Sequence, residues 1–199
     1  MTYGENSGAV PLKKGGAFKE LSPKQRRKST GSGRCRRYIK FRKQLKMTIE
    51  KKLEDLGLVL PDPKPPLGAY VPYLERDGLV FISGQGPVLA GGGAICGRLG
   101  DGLDIEDGAR AAQLSALNIL AQIRAAVGSD WQKLVRIVRL CGYVNATPDF
   151  THHPAVVNGA SELFVDLFGE RGRHTRSAVG VASLPMDWVV EIDAIVEIS

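Results

Sequence analysis

The feature that most constrains the fold is the run Thr175–Ile198, TRSAVGVASLPMDWVVEIDAIVEI. Both of its halves alternate with a period of two and read as strands. The Leu184-Pro185-Met186-Asp187 segment between them has turn chemistry, so the two are expected to form a hairpin. In the first strand Val179 and Val181 share a face with Ser177, while the other face carries Arg176 followed only by Ala178, Gly180 and Ala182. An arginine followed by three tiny side chains matches a guanidinium beside an empty space, the arrangement that grips a small carboxylate bidentately. An exposed arginine on an edge strand shows the same pattern. In the second strand Val190, Ile192, Ala194, Val196 and Ile198 line one face, and Glu191, Asp193 and Glu197 the other. A turn at Pro185-Met186 would set Arg176 opposite about Ile195, with Glu191 roughly 13 Å away at strand rise. The pair would then not meet within their own hairpin.

The elements upstream follow from local signals. Thr48 caps a short helix with Ile49, Leu53 and Leu56 inward, and PDPKPP after it is an extended connector. Gly68–Leu74 and Leu79–Ser83 are strands joined by the Asp77-Gly78 turn. The glycine-rich stretch Ala90–Gly102 lacks the Gly-Lys-Ser/Thr ending of a phosphate loop and reads as a mobile loop. Asp104 caps a long helix to about Val127, with Arg110, Gln122 and Arg124 on its outer side. Lys133–Asn145 is a strand whose broken alternation near Val135-Arg136 predicts a bulge or burial on both faces. Pro154 opens a second long helix, with Val156, Ala160, Leu163, Phe164 and Leu167 inward. The order β-β-α-β-α-β-β predicts an α+β fold, a mixed sheet with two helices on one face. The other face is left for solvent or for other subunits.

Charge divides the chain. Residues 1–46 hold fourteen Lys/Arg against two acids, and residues 47–199 hold thirteen against nineteen. The basic character therefore belongs to a Gly/Ser/Lys-rich extension, and the domain from Met47 is acidic. The extension is consistent with a nucleic-acid-binding arm, an organelle transit segment, or sequence upstream of a true start at Met47. Cys35, Cys96 and Cys141 show no paired spacing, which argues against a disulfide framework and a cysteine zinc site and for a reducing, cytoplasmic setting. No run reaches membrane-spanning length. His152, His153 and His174 lack metal-ligand spacing, so neither metal nor cofactor is expected.

LGAY at Leu67–Tyr70, ISGQGP at Ile82–Pro87, VVNGASELF at Val156–Phe164 and the closing TRSAVGVASLP…VEIDAIVEI occur in an order that resembles the RidA (YjgF, endoribonuclease L-PSP) family. The resemblance covers about residues 47–199. It implies a chorismate-mutase-like fold, assembled as a homotrimeric barrel with clefts between subunits. It also implies hydrolysis of reactive enamines and imines, of the 2-aminoacrylate and 2-iminopropionate type, to 2-keto acids and ammonia. By that resemblance Arg176 anchors the substrate carboxylate and Glu191 positions water, while Tyr70, Ser83, Gly84 and Asn158 line the same cleft. Ala178 stands where deaminases of the family often carry cysteine, and Gly86 where isoleucine is familiar. A non-catalytic 2-keto acid sensor is the alternative reading; RNA binding, outside residues 1–46, sits poorly with an acidic domain.

Overall fold

The computed structural model describes residues 48–199, which form one compact unit. The expectations for residues 1–46 and for a start at Met47 lie outside the described residues. Helix α1 (Ile49–Asp55) begins where Thr48 accepts a hydrogen bond from the Lys51 backbone N–H. Helix α2 (Ile105–Ala126) opens with a reciprocal capping box between Asp104 and Asp107. Helix α3 (His153–Phe168) has Pro154 in its first turn and Gly169 at its end. The strands are β1 (Tyr73–Arg76), β2 (Leu79–Gln85), β3 (Arg98–Leu99), β4 (Gly102–Leu103), β5 (Leu134–Asn145), β6 (Thr175–Val181) and β7 (Val190–Ile198).

Five of them form one mixed sheet in the order β1-β2-β7-β5-β6, parallel only between β5 and β6. The expected hairpin between the last two strands is therefore absent: β5 lies between β6 and β7. Pro185–Asp187 form a 3-10 turn with Met186 and Asp187 at positive φ, and this connection carries the chain over β5. Arg176 pairs with Leu140, which pairs in turn with Ala194, not Ile195. Alternation is identical for a hairpin and for two strands separated by a third, so periodicity could not tell them apart.

Other boundaries moved for physical reasons. Strand β1 starts only at Tyr73, because Pro72 precedes it and residues 68–72 follow an irregular path. The glycine-rich loop is folded, with β3 and β4 paired in parallel. The expected irregularity in β5 is real, with register shifts against β7 on either side of Arg136 and Ile137. Gln122 is buried, not outward, because its side-chain amide donates to the Lys64 carbonyl while Arg124 donates to that of Pro61. The connector lies along that side of α2, a tertiary covering that helical periodicity cannot announce.

The core lies between the sheet and the two long helices. Leu140, Ile137 and Ile192 from the sheet and Leu120, Ile123 and Phe164 from the helices are all fully buried there. Helices α2 and α3 cross at Gly159, where a Cβ would run into the backbone carbonyl of Ala109. Among the described residues no helix is long and apolar enough to cross a membrane.

Candidate functional site

Partners across a sheet share a face, so register assigns each candidate residue to a side. Arg176 points with Leu140 and Ala194 toward the helices; Glu191 points with Tyr143 and Val179 to the opposite, helix-free face. Two strand spacings and three residues of rise separate them by about 14 Å. Within one chain Arg176 and Glu191 do not meet.

The first cluster forms where β6 meets the N-terminal half of α3. Nη1 of Arg176 donates to Asn158 Oδ1 and to Ser161 Oγ, both at 2.9 Å, and Nη2 donates to the Pro154 carbonyl at 3.3 Å. Residues 154, 158 and 161 stand on one stripe of α3, at the four- and three-residue spacing of a helix face. The relay continues inward. Ser161 Oγ lies 3.0 Å from His174 Nε2, and His174 Nδ1 lies 2.7 Å from the Gly172 carbonyl. That carbonyl can only accept, so Nδ1 carries the proton and Nε2 accepts from Ser161. Burial holds the imidazole below its ordinary pKa, with Arg176 adding to the effect, which keeps Nε2 an acceptor. The guanidinium is thus aimed by three hydrogen bonds that use three of its five N–H donors. The hollow expected beside it is occupied: a Cβ on Gly180 would strike the His153 ring, and Ala178 packs on the core. The small residues after Arg176 make room for α3 rather than for a ligand.

The second cluster gathers Tyr70, Ser83, Gly84 and Glu191. Ser83 Oγ donates to the Val71 carbonyl at 2.8 Å, and its backbone N–H donates to that of Pro72, tying the connector to β2. Tyr70 is half exposed, its phenol oxygen accepting from the Leu67 N–H. A register shift between Ile82 and Gln85 brings Gly84 flat against Glu191, and a Cβ at Gly84 would fall inside the Glu191 carboxyl group. That carboxylate is half-buried and gains no hydrogen bond from the described residues. Burial raises its pKa first, and the neighbouring Asp193 charge raises it further. Asp193 itself accepts from the Tyr143 hydroxyl at 3.0 Å. The Cys141 thiol and then Asp193 hold that phenol above its usual pKa.

The sequence pointed to Arg176, Asn158, Tyr70, Ser83, Gly84 and Glu191; the structure gathers the first two in one place and the other four in another. Ser161 was not singled out, although at i+3 from Asn158 it carried a helix-face signal, and His174 was weighed only as a metal ligand. Trp188 and Asn118, which border the second cluster, carried none. Among the described residues no three of His, Cys, Asp and Glu group as metal ligands.

Comparison with known proteins agrees with this architecture. A family model described as "YjgF/chorismate mutase-like, putative endoribonuclease" matches residues 50–198. Protein TCP17 of Trypanosoma cruzi is 41% identical over 152 residues, spanning 76% of this chain and 94% of that one. The crystal structure of Atu1372 from Agrobacterium tumefaciens, a protein of unknown function, is 43% identical with a TM-score of 0.72, over 80% of this chain and 99% of that one. RidA from an Antarctic Psychrobacter is 28% identical with a TM-score of 0.50, over 70% and 96% of the two chains.

Proposed function

Because the chain belongs to the YjgF/chorismate mutase-like family, we propose that it hydrolyses imines and enamines of 2-amino acids to 2-keto acids and ammonia. Arg176 binds the substrate carboxylate through the two N–H donors its internal hydrogen bonds leave over. Glu191, ionised, orients a water and takes its proton as oxygen attacks the C=N carbon of the iminium. The carbinolamine then collapses, its C–N bond breaking with return of a proton to nitrogen. One water is consumed, and the products are the 2-keto acid and ammonium. An enamine enters the same path after protonation at its β-carbon. Imine hydrolysis is intrinsically easy, so positioning alone supplies most of what is needed.

The observation that carries this reading is the Arg176 guanidinium, aimed by Asn158, Ser161 and Pro154 with donors to spare. Since Glu191 of the same chain lies on the other sheet face, the complete site requires Arg176 and Asn158 from one copy and Tyr70, Ser83, Gly84 and Glu191 from another. The helix-free face, with Leu74, Phe81 and Val179 exposed, supports such packing into a homotrimer. Ammonia release from 2-iminobutyrate generated in situ tests the activity. A rate no faster than in buffer sinks it. Saturable 2-keto acid binding that needs Arg176, without turnover, assigns a sensor instead; Ala178, where deaminases carry cysteine, favours that second reading.

A further inference from the structure

A cavity of about 450 Å³ opens beside the second cluster, between the connector, the end of β2, the loop after it and the turn before β7. Tyr70 and Gly84 belong to both, so the cavity begins on the far side of the glycine that Glu191 leans against. Its volume is that of an ordinary ligand pocket. A methyl group, close in size to a water at about 30 Å³, would leave it almost empty.

Leu67, Met186 and Trp188 give it an apolar lining. The indole is there because position 86 is glycine: a Cβ on Gly86 would collide with the ring of Trp188. The departure from the family's isoleucine is therefore a size exchange, in which an indole from the turn before β7 replaces an aliphatic chain from the residue after β2.

One buried amide braces the wall. Asn118 is buried, and the two N–H groups of its side-chain nitrogen are shared among the carbonyls of Gly86, Val88 and Leu114. Three carbonyls around the nitrogen fix the amide orientation, since a flip would press oxygen against oxygen. Asn118 Oδ1 is buried with almost no accessible surface, so this side chain ties the wall together and offers a ligand no acceptor.

We infer that this cavity receives the substrate's side chain, and that the preferred substrates are imines of aromatic amino acids. The inference rests on the site reading given above and is tested apart from it. Calorimetric titration of the full chain with 4-hydroxyphenylpyruvate, phenylpyruvate and pyruvate reads the cavity without any turnover. Both aromatic acids are expected to bind at least tenfold tighter than pyruvate. Met186→Trp, at an exposed position on the rim, is expected to cut the phenol-to-pyruvate affinity ratio at least fivefold. Pyruvate binding as tightly as either aromatic acid overturns the inference, as does an unchanged ratio in Met186→Trp. Failure of every imine to turn over, with the aromatic preference intact, ends the hydrolase reading and leaves the cavity assignment standing.

Discussion

The two clusters are built on opposite principles. Around Arg176 every neighbour is an acceptor already in place, and the relay through Ser161 and His174 ends on a backbone carbonyl. Around Glu191 no described residue donates: the carboxylate rests on a glycine beside a second acid, half out of water. A cation is held rigidly by bonds and an anion is left short of them, which is the division of labour expected of an anchor and a base. It also teaches where each is vulnerable. The arginine cluster fails by losing its bracing, the glutamate cluster by losing its space.

The largest effect is expected from separating them. Arg176→Ala and Glu191→Gln should each lower kcat/KM for 2-iminobutyrate by at least about a hundredfold, a loss typical of a removed charge-stabilising or acid–base group. Refolding the two variants together at equal amounts should restore about a quarter of wild-type activity if, as proposed, a cyclic trimer pairs residues from neighbouring copies, since a quarter of random pairings are then intact. No recovery in the mixture would show that the clusters do not cooperate across copies.

Next comes space. Gly84→Ala is expected to displace the Glu191 carboxyl and lower kcat about tenfold or more while KM for the carboxylate changes little. Equal activity in that variant would mean the close approach serves packing only. Bracing is tested by Gly159→Ala, whose Cβ meets the Ala109 backbone rather than a yielding side chain. Overpacking of this kind should destabilise the domain by about 1–3 kcal/mol in chemical denaturation.

The smallest effect is a difference in pH response. Glu191 binds its proton more tightly folded than unfolded, so its contribution to stability is present below the ordinary carboxylate range and lost as pH rises through the raised value. His174 is the reverse: its folded pKa is depressed, so its contribution is present above the ordinary imidazole range and lost as pH falls. At neutral pH Glu191→Gln should therefore raise Tm slightly, whereas His174→Asn should lower it and flatten the fall in Tm between about pH 7 and 5. A Tm unchanged by both substitutions would show that the contrast has no energetic weight.

Much of this was legible in the sequence, and the remainder failed for definable reasons. Helices declared themselves through local chemistry: Thr48 and Asp104 cap where expected, and Pro154 and Gly169 bound α3. The β5 irregularity showed as broken alternation around Val135-Arg136. Strand order was not legible, because Ser177–Val181 and Val190–Ile198 alternate identically whether neighbours or not, and β5 separates them. The site suffered the same way. Arg176 stood out because the residues after it are so small, yet that smallness answers to His153 and the docking of α3. Gln122 read as an outer-face amide until the connector covered it, and Asn118 carried no signal of the Gly86 and Val88 carbonyls that hold it.

The sheet order has an implication for how the chain is made. Strand β7 is last in sequence but central in space, touching β2 on one side and β5 on the other. Until it is synthesised, the β1-β2 pair and the β5-β6 pair have no common edge on which to join. A nascent chain thus carries two unfinished half-sheets, and the domain closes only when its final residues leave the ribosome. Stop codons within β7 should then yield chains that never assemble, not shortened versions of the same protein.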